Sequence, residues 1–144
     1  MLSWMPTRYE FFDHTADIGV HVYGETLEEL FGNAAAAMYE ALGKFERGTH
    51  GEPKLLRLRA DSTEDLLHDW LTELLYDLDT QHMYYDQIEF TEVTPLSLAV
   101  RLSGAVVDFA RSQTNEEIKA VTYHELRVEQ IRDGTWRATV ILDV

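Results

Sequence analysis

The sequence contains no cysteine. That removes disulfides, thiolate metal sites and cysteine nucleophiles together, and it fits a reducing compartment. No stretch approaches the ~20 apolar residues that a membrane-spanning helix needs. The first twelve residues show no basic segment leading into an apolar run, so no secretory signal is expected. These absences predict a soluble, cytoplasmic protein with no membrane partner. Met5 is an alternative start, because Met1–Trp4 add nothing to the pattern. Positive charge is also scarce: 12 Lys and Arg stand against 26 Asp and Glu, a net charge of −14. A protein that grips phosphates displays a basic patch, and none is visible, so direct nucleic-acid binding is not expected. Cations and basic protein surfaces are the favoured partners. No P-loop, Gly-x-Gly-x-x-Gly, Gly-x-Ser-x-Gly or His-Glu-x-x-His occurs. The six histidines, at 14, 21, 50, 68, 82 and 124, show no metal-ligand spacing. A self-contained enzyme is therefore not expected.

What is present is an ordinary folded composition, with 45% hydrophobic and 26% charged residues, which excludes extensive disorder. A length of 144 residues is that of a single domain, 1–144. Tyr9–Asp13 and residues 18–22 read as strands, the second with Ile18, Val20 and Val22 on one face. Thr26 and Glu29 have capping-box spacing and open a helix whose apolar stripe runs from Leu27 to Leu42, with Gly43 placed to end it. Residues 44–53 carry two glycines and a proline and predict a surface loop. Lys54–Ala60 is a third strand, and Ser62 caps a second helix with apolar residues from Leu66 to Leu78. After a connection over Asp79–Asp86, strands are expected at Gln87–Val93, Leu96–Leu102 and Ile118–Tyr123, with a short strand or turn at Ala105–Ala110. Glu125–Ile131 and Thr135–Asp143 should form a hairpin around Asp133-Gly134, a dipeptide suited to a two-residue turn. The expected fold is α+β: two helices packed on a mainly antiparallel sheet, in a single two-layer domain.

Four constellations could carry chemistry. Asp13-His14-Thr15-Ala16-Asp17 packs two carboxylates, an imidazole and a hydroxyl into five residues. It reads either as a cation site, for zinc through the histidine or for a hard ion through oxygens, or as a turn that satisfies its own backbone. On the last strand Asp143 lies next to the Val144 carboxylate. Two such charges 4 Å apart repel by about 1 kcal/mol in water, and more when partly buried. A cation between them would remove that cost, and Asp17 would complete an oxygen cage of the kind calcium takes. Asp69, Glu73 and Asp77 follow at i, i+4, i+8 on the second helix. Water is the expected partner of Asp77; for Asp69 and Glu73, water and a basic partner are both open. Lys119 and His124 lie in a segment where a rare base could meet a partner's acid or a phosphate, or simply be a surface charge.

Asp13–Gly19 (Asp-His-Thr-Ala-Asp-Ile-Gly), Leu71–Tyr76 (Leu-Thr-Glu-Leu-Leu-Tyr), Glu117–His124 (Glu-Ile-Lys-Ala-Val-Thr-Tyr-His) and a chain ending in Asp-Val together resemble the archease family. The resemblance runs in order along nearly the whole chain. It implies an accessory protein for RNA-splicing ligases of the RtcB type, which are guanylylated on a histidine with GTP before they join RNA ends. An archease promotes that guanylylation and multiple turnover, with tRNA splicing the best-known setting. The resemblance also implies a divalent metal, calcium, held by Asp17, Asp143 and Val144. Asp13, His14, Asp69, Glu73, Lys119 and His124 are left as candidates for docking the partner or supporting the metal ligands, Glu73 more firmly than Asp69. Two rivals remain: a metal-dependent phosphoester hydrolase with His14 or His124 as base, and a chaperone-like protein-binding module.

Overall fold

The computed structural model describes residues 7–144. The alternative start at Met5 lies outside them. The two expected helices are present. Helix α1 spans Leu27–Leu42 and α2 spans Thr63–Gln81. Thr26 Oγ1 accepts the Glu29 N–H at 3.1 Å and Ser62 Oγ accepts the Asp65 N–H at 3.0 Å, so each cap satisfies a donor that a helix start leaves free. The capping box is not fully reciprocal, because Glu29 Oε1 takes the N–H of Glu25 at 3.3 Å instead of that of Thr26. Gly43 ends α1 for a steric reason: a Cβ there would come within 2.3 Å of the Gln113 carbonyl oxygen. The end of α2 is His82, in the left-handed region at φ 57°.

The strands form two main antiparallel sheets. In the first, β1 (Tyr9–His14), β2 (Asp17–Gly24), β11 (Trp136–Asp143) and β10 (Arg127–Gln130) lie in that order, and β9 (Ala120–Val121) pairs with the far end of β11. In the second, β7 (Ser97–Val107) lies between β6 (Met83–Thr94) and the pair β4 (Arg47–His50) and β5 (Lys54–Arg59). A two-residue pairing, β3 (Gly43–Lys44) with β8 (Gln113–Thr114), closes the end of α1. Val20, Val22, Ala138, Val140 and Leu142 turn one face of the first sheet toward the core, where Leu30, Phe31, Trp70 and Leu74 are fully buried. Trp70 joins the two helices by donating its indole N–H to the Phe31 carbonyl at 2.9 Å. No helix among the described residues is long and apolar enough to cross a membrane.

Several boundaries differ from those the sequence predicts. The loop expected over 44–53 contains strand β4, whose four residues are all exposed, so it has backbone pairing but no apolar alternation to reveal it. The connection expected over Asp79–Asp86 is mostly regular structure: α2 runs on to Gln81, and β6 begins at Met83 with Met83 and Tyr85 buried. β7 continues to Val107, whereas only Ala120 and Val121 of the 118–123 segment pair as strand. The β10–β11 turn is not a two-residue one. Ile131 N–H donates to Thr135 O at 2.8 Å and Gly134 N–H to Ile131 O at 2.9 Å, enclosing three residues with Gly134 at φ 92°.

The largest correction concerns Asp77. It does not face water but is 3% exposed, and it accepts hydrogen bonds from Lys54 Nζ at 2.8 Å and Tyr85 Oη at 2.7 Å. Lys54 also reaches Glu73 at 3.0 Å, so one ammonium offsets two members of the acidic row. Burial works against the Lys54 charge, but the bonds to Asp77 and Glu73 outweigh it and hold its pKa above the ordinary lysine range. Asp77→Ala leaves the buried Tyr85 hydroxyl without its acceptor, while the partly exposed Lys54 keeps Glu73. The substitution is expected to destabilise the fold by about 1–3 kcal/mol in equilibrium denaturation. The hydroxyls of Tyr39 and Tyr85 are pushed well above the usual tyrosine value, first by burial and, for Tyr85, also by its bond to Asp77. The folded state thus holds these protons more tightly than the unfolded chain does. The associated stability is complete below about pH 10 and is lost as pH rises toward the raised folded values. Melting temperature should fall on that alkaline side, and less steeply in Tyr85→Phe, as thermal melts across pH would record.

Candidate functional site

The site grows out of strand register. β1 and β2 are joined by Thr15 and Ala16 alone, so His14 lies opposite Asp17. β11 runs along the other side of β2, with Asp143 opposite Asp17. Directly opposed residues of antiparallel strands project from the same face, with Cβ atoms about 4.5–5.5 Å apart. His14, Asp17 and Asp143 therefore form a row across three strands, on the face turned away from the core side chains of Ile18 and Leu142. Like charges facing each other across strands are unfavourable. Among the described residues, the only basic side chain within ion-pair reach of Asp17 is His14, and none reaches Asp143. The Asp17 side chain is partly open to solvent, at 26% exposed. Val144 packs its side chain against the core cluster, which fixes the backbone immediately after Asp143.

The segment 119–125, which contains β9, wraps the edge of β11 and completes the site. Lys119 N–H donates to Asp143 O at 2.7 Å, and Thr122 donates to Ile141 O through both its N–H, at 3.1 Å, and its Oγ1, at 2.9 Å. This anchoring brings Glu125 and His124 over the row. His14 Nε2 lies 3.0 Å from Glu125 Oε2, which is also 3.5 Å from His124 Nε2. The His14 and His124 rings stand edge to face with centroids 5.3 Å apart. His14 Nδ1 points the other way, toward Asp17 Oδ2 at 3.4 Å, buried from solvent and without an aligned hydrogen bond. Ala16 at φ 60° and Glu125 at φ 54° both hold the left-handed backbone conformation that side chains with a Cβ disfavour. Strained backbone of this kind gathers at sites where geometry is over-determined.

The structure thus brings together Asp17, Asp143, His14 and His124 from the sequence candidates, with the Lys119 backbone beside them. Val144 follows Asp143 directly. Asp13 is opposite Ile18 and so belongs to the other face of the hairpin. The α2 candidates are elsewhere: Glu73 is committed to Lys54, while Asp69 lies 3.1 Å from the His68 ring, which stacks on Tyr123. Burial, with Asp69 and Asp65 nearby, raises the Tyr123 hydroxyl above its ordinary pKa. Glu125 is the member that sequence reasoning misses. The one signal for it is an acid directly after His124, and its contact with His14 depends on the long-range wrap around β11. The expectation of no metal-ligand spacing among the histidines holds along the chain but not in space, since His14, His124 and Glu125 present ligand atoms all within 4.8 Å of one another.

The family model described as the Archease protein family (MTH1598/TM1083) matches residues 9–144. Protein archease of Thermococcus gammatolerans is 34% identical over 141 residues, covering 95% of this chain and 99% of that protein. Protein archease of Methanosarcina barkeri is 33% identical over 147 residues, covering 99% and 100%. The solution structure of Methanobacterium thermoautotrophicum protein 1598 superposes with a TM-score of 0.72 at 34% identity, covering 95% of this chain and 99% of that one. The crystal structure of a Thermotoga maritima archease, described as a possible chaperone, does so with a TM-score of 0.67 at 26% identity, covering 92% and 94%. With the family pattern matched from the first strand to the last residue, and solved members sharing its two-helix antiparallel frame, the chain belongs to the archease family.

Proposed function

We propose that the protein is an accessory factor that activates an RtcB-type RNA-splicing ligase, promoting guanylylation of the ligase and its repeated turnover in tRNA splicing or RNA repair. The reading extends family membership by the role that the sequence resemblance implies. The observation that carries it is the facing pair Asp17 and Asp143, two carboxylates with no basic side chain between them among the described residues. Such a pair suits a hard divalent cation, calcium above all, and the Val144 carboxylate would add a third oxygen donor. The ion would supply positive charge at an otherwise anionic end of the sheet. The protein's own residues do the positioning: β2 and β11 hold the two aspartates in register, the Lys119 N–H anchors the Asp143 carbonyl, and the Val144 side chain pins the terminus. A net charge of −14 disfavours direct contact with RNA and favours docking on a basic protein surface. The description of the Thermotoga relative as a possible chaperone agrees with a protein-binding role. The rival reading, a metal-dependent phosphoester hydrolase, differs in its outcome: the purified protein with added metal would turn over a generic phosphoester unaided.

Asp17→Ala and Asp143→Ala should each reduce ligase guanylylation to the level of the ligase alone, while circular dichroism shows the fold intact. Calcium affinity by calorimetry should fall at least tenfold. A few residues appended after Val144 should have the same effect, because they displace the terminal carboxylate. Full stimulation by both aspartate variants would overturn the proposal.

A further inference from the structure

The cluster above the row has a different chemistry from the aspartate pair. Three side chains bring ligand atoms within 4.8 Å of one another, with His14 Nε2 and His124 Nε2 both close to Glu125 Oε2. Two imidazoles and a carboxylate are the donor set of zinc and related transition metals, not of calcium. The spacing suits such an ion. Ligands held at 2.0–2.1 Å in a tetrahedron lie about 3.3 Å from each other, and the two separations to Glu125 Oε2 are 3.0 and 3.5 Å.

The two nitrogens of His14 face opposite ways: Nδ1 is turned toward Asp17 Oδ2 at 3.4 Å, and Nε2 toward Glu125 Oε2 at 3.0 Å. A carboxylate behind the far nitrogen of a metal-bound histidine is a common arrangement around zinc. Solvent reaches the spot freely, since the His124 and Glu125 side chains are 63% and 55% exposed against 25% for His14.

We propose that His14, His124 and Glu125 form a transition-metal site of the zinc class, distinct from the Asp17–Asp143 pair, with a coordination position open to water or to a partner's side chain. Asp17 lies between the two sites, with His14 on one side and Asp143 on the other. This goes beyond the ligase reading and does not depend on it.

The test is zinc titration of chelator-stripped protein by calorimetry, with cobalt(II) absorption as a coordination probe. One zinc per chain is expected, with affinity lowered at least tenfold in His14→Ala, His124→Ala and Glu125→Gln. The cobalt spectrum should lose its ligand-field bands in the same variants. His124 and Glu125 are exposed, so their substitution spares the fold. Asp143→Asn should retain zinc while losing calcium, and His50→Ala, at an exposed histidine elsewhere, should change neither. Absence of zinc binding, equal affinity in His124→Ala and the parent protein, or equal loss in Asp143→Asn and the histidine variants would each overturn the proposal. None of these readouts involves the ligase, so they succeed or fail separately from guanylylation.

Discussion

The pairing of β2 with β11 is the constraint on which the rest depends. Eight residues of each strand match without a bulge, from Asp17 opposite Asp143 to Gly24 opposite Trp136. Side chains alternate along both strands, so the register decides two things at once. It sends Val20, Val22, Ala138 and Val140 into the core, and it sets the two aspartates side by side on the other face. A slip of one residue would expose the apolar set and separate the carboxylates. The site is therefore as well defined as the core beneath it, because the same hydrogen-bond ladder specifies both.

A second tie holds the other half together. Lys54 at the start of β5, Asp77 near the end of α2 and Tyr85 in β6 meet in one polar contact centred on the buried Asp77. Three consecutive elements are thereby fixed against sliding. Apolar packing alone tolerates small shifts, whereas an ammonium, a carboxylate and a phenol satisfy one another only in one arrangement. This contact orients α2, and α2 in turn carries His68 against Tyr123, next to the segment that delivers His124 and Glu125.

What could be read in the sequence was whatever is encoded locally. The helices announce themselves through Thr26, Ser62 and stripes of period 3.6, and β2 and β11 through strict alternation. Strand β4 could not be read, because Arg47–His50 is exposed throughout and its identity lies in the backbone of β7. Asp77 was misread for a related reason. Its acidic row has the spacing of a solvated helix face, and the lysine that neutralises it comes from a strand 23 positions earlier. In the candidate site, the aspartates and His14 stood out as a dense motif and as a charged strand end. Glu125 did not, because only the irregular wrap of 119–125 around β11 brings it to His14.

The β2–β11 ladder also bears on how the molecule is made. β2 is synthesised more than one hundred residues before its partner. At roughly 5–20 residues per second, that is a wait on the order of five to thirty seconds. Through it, β2 has β1 on one edge and nothing on the other, while α1 must shelter Val20 and Val22 by itself. A nascent chain in that state presents an open, apolar strand edge, the form most prone to pair with a neighbour on the same message.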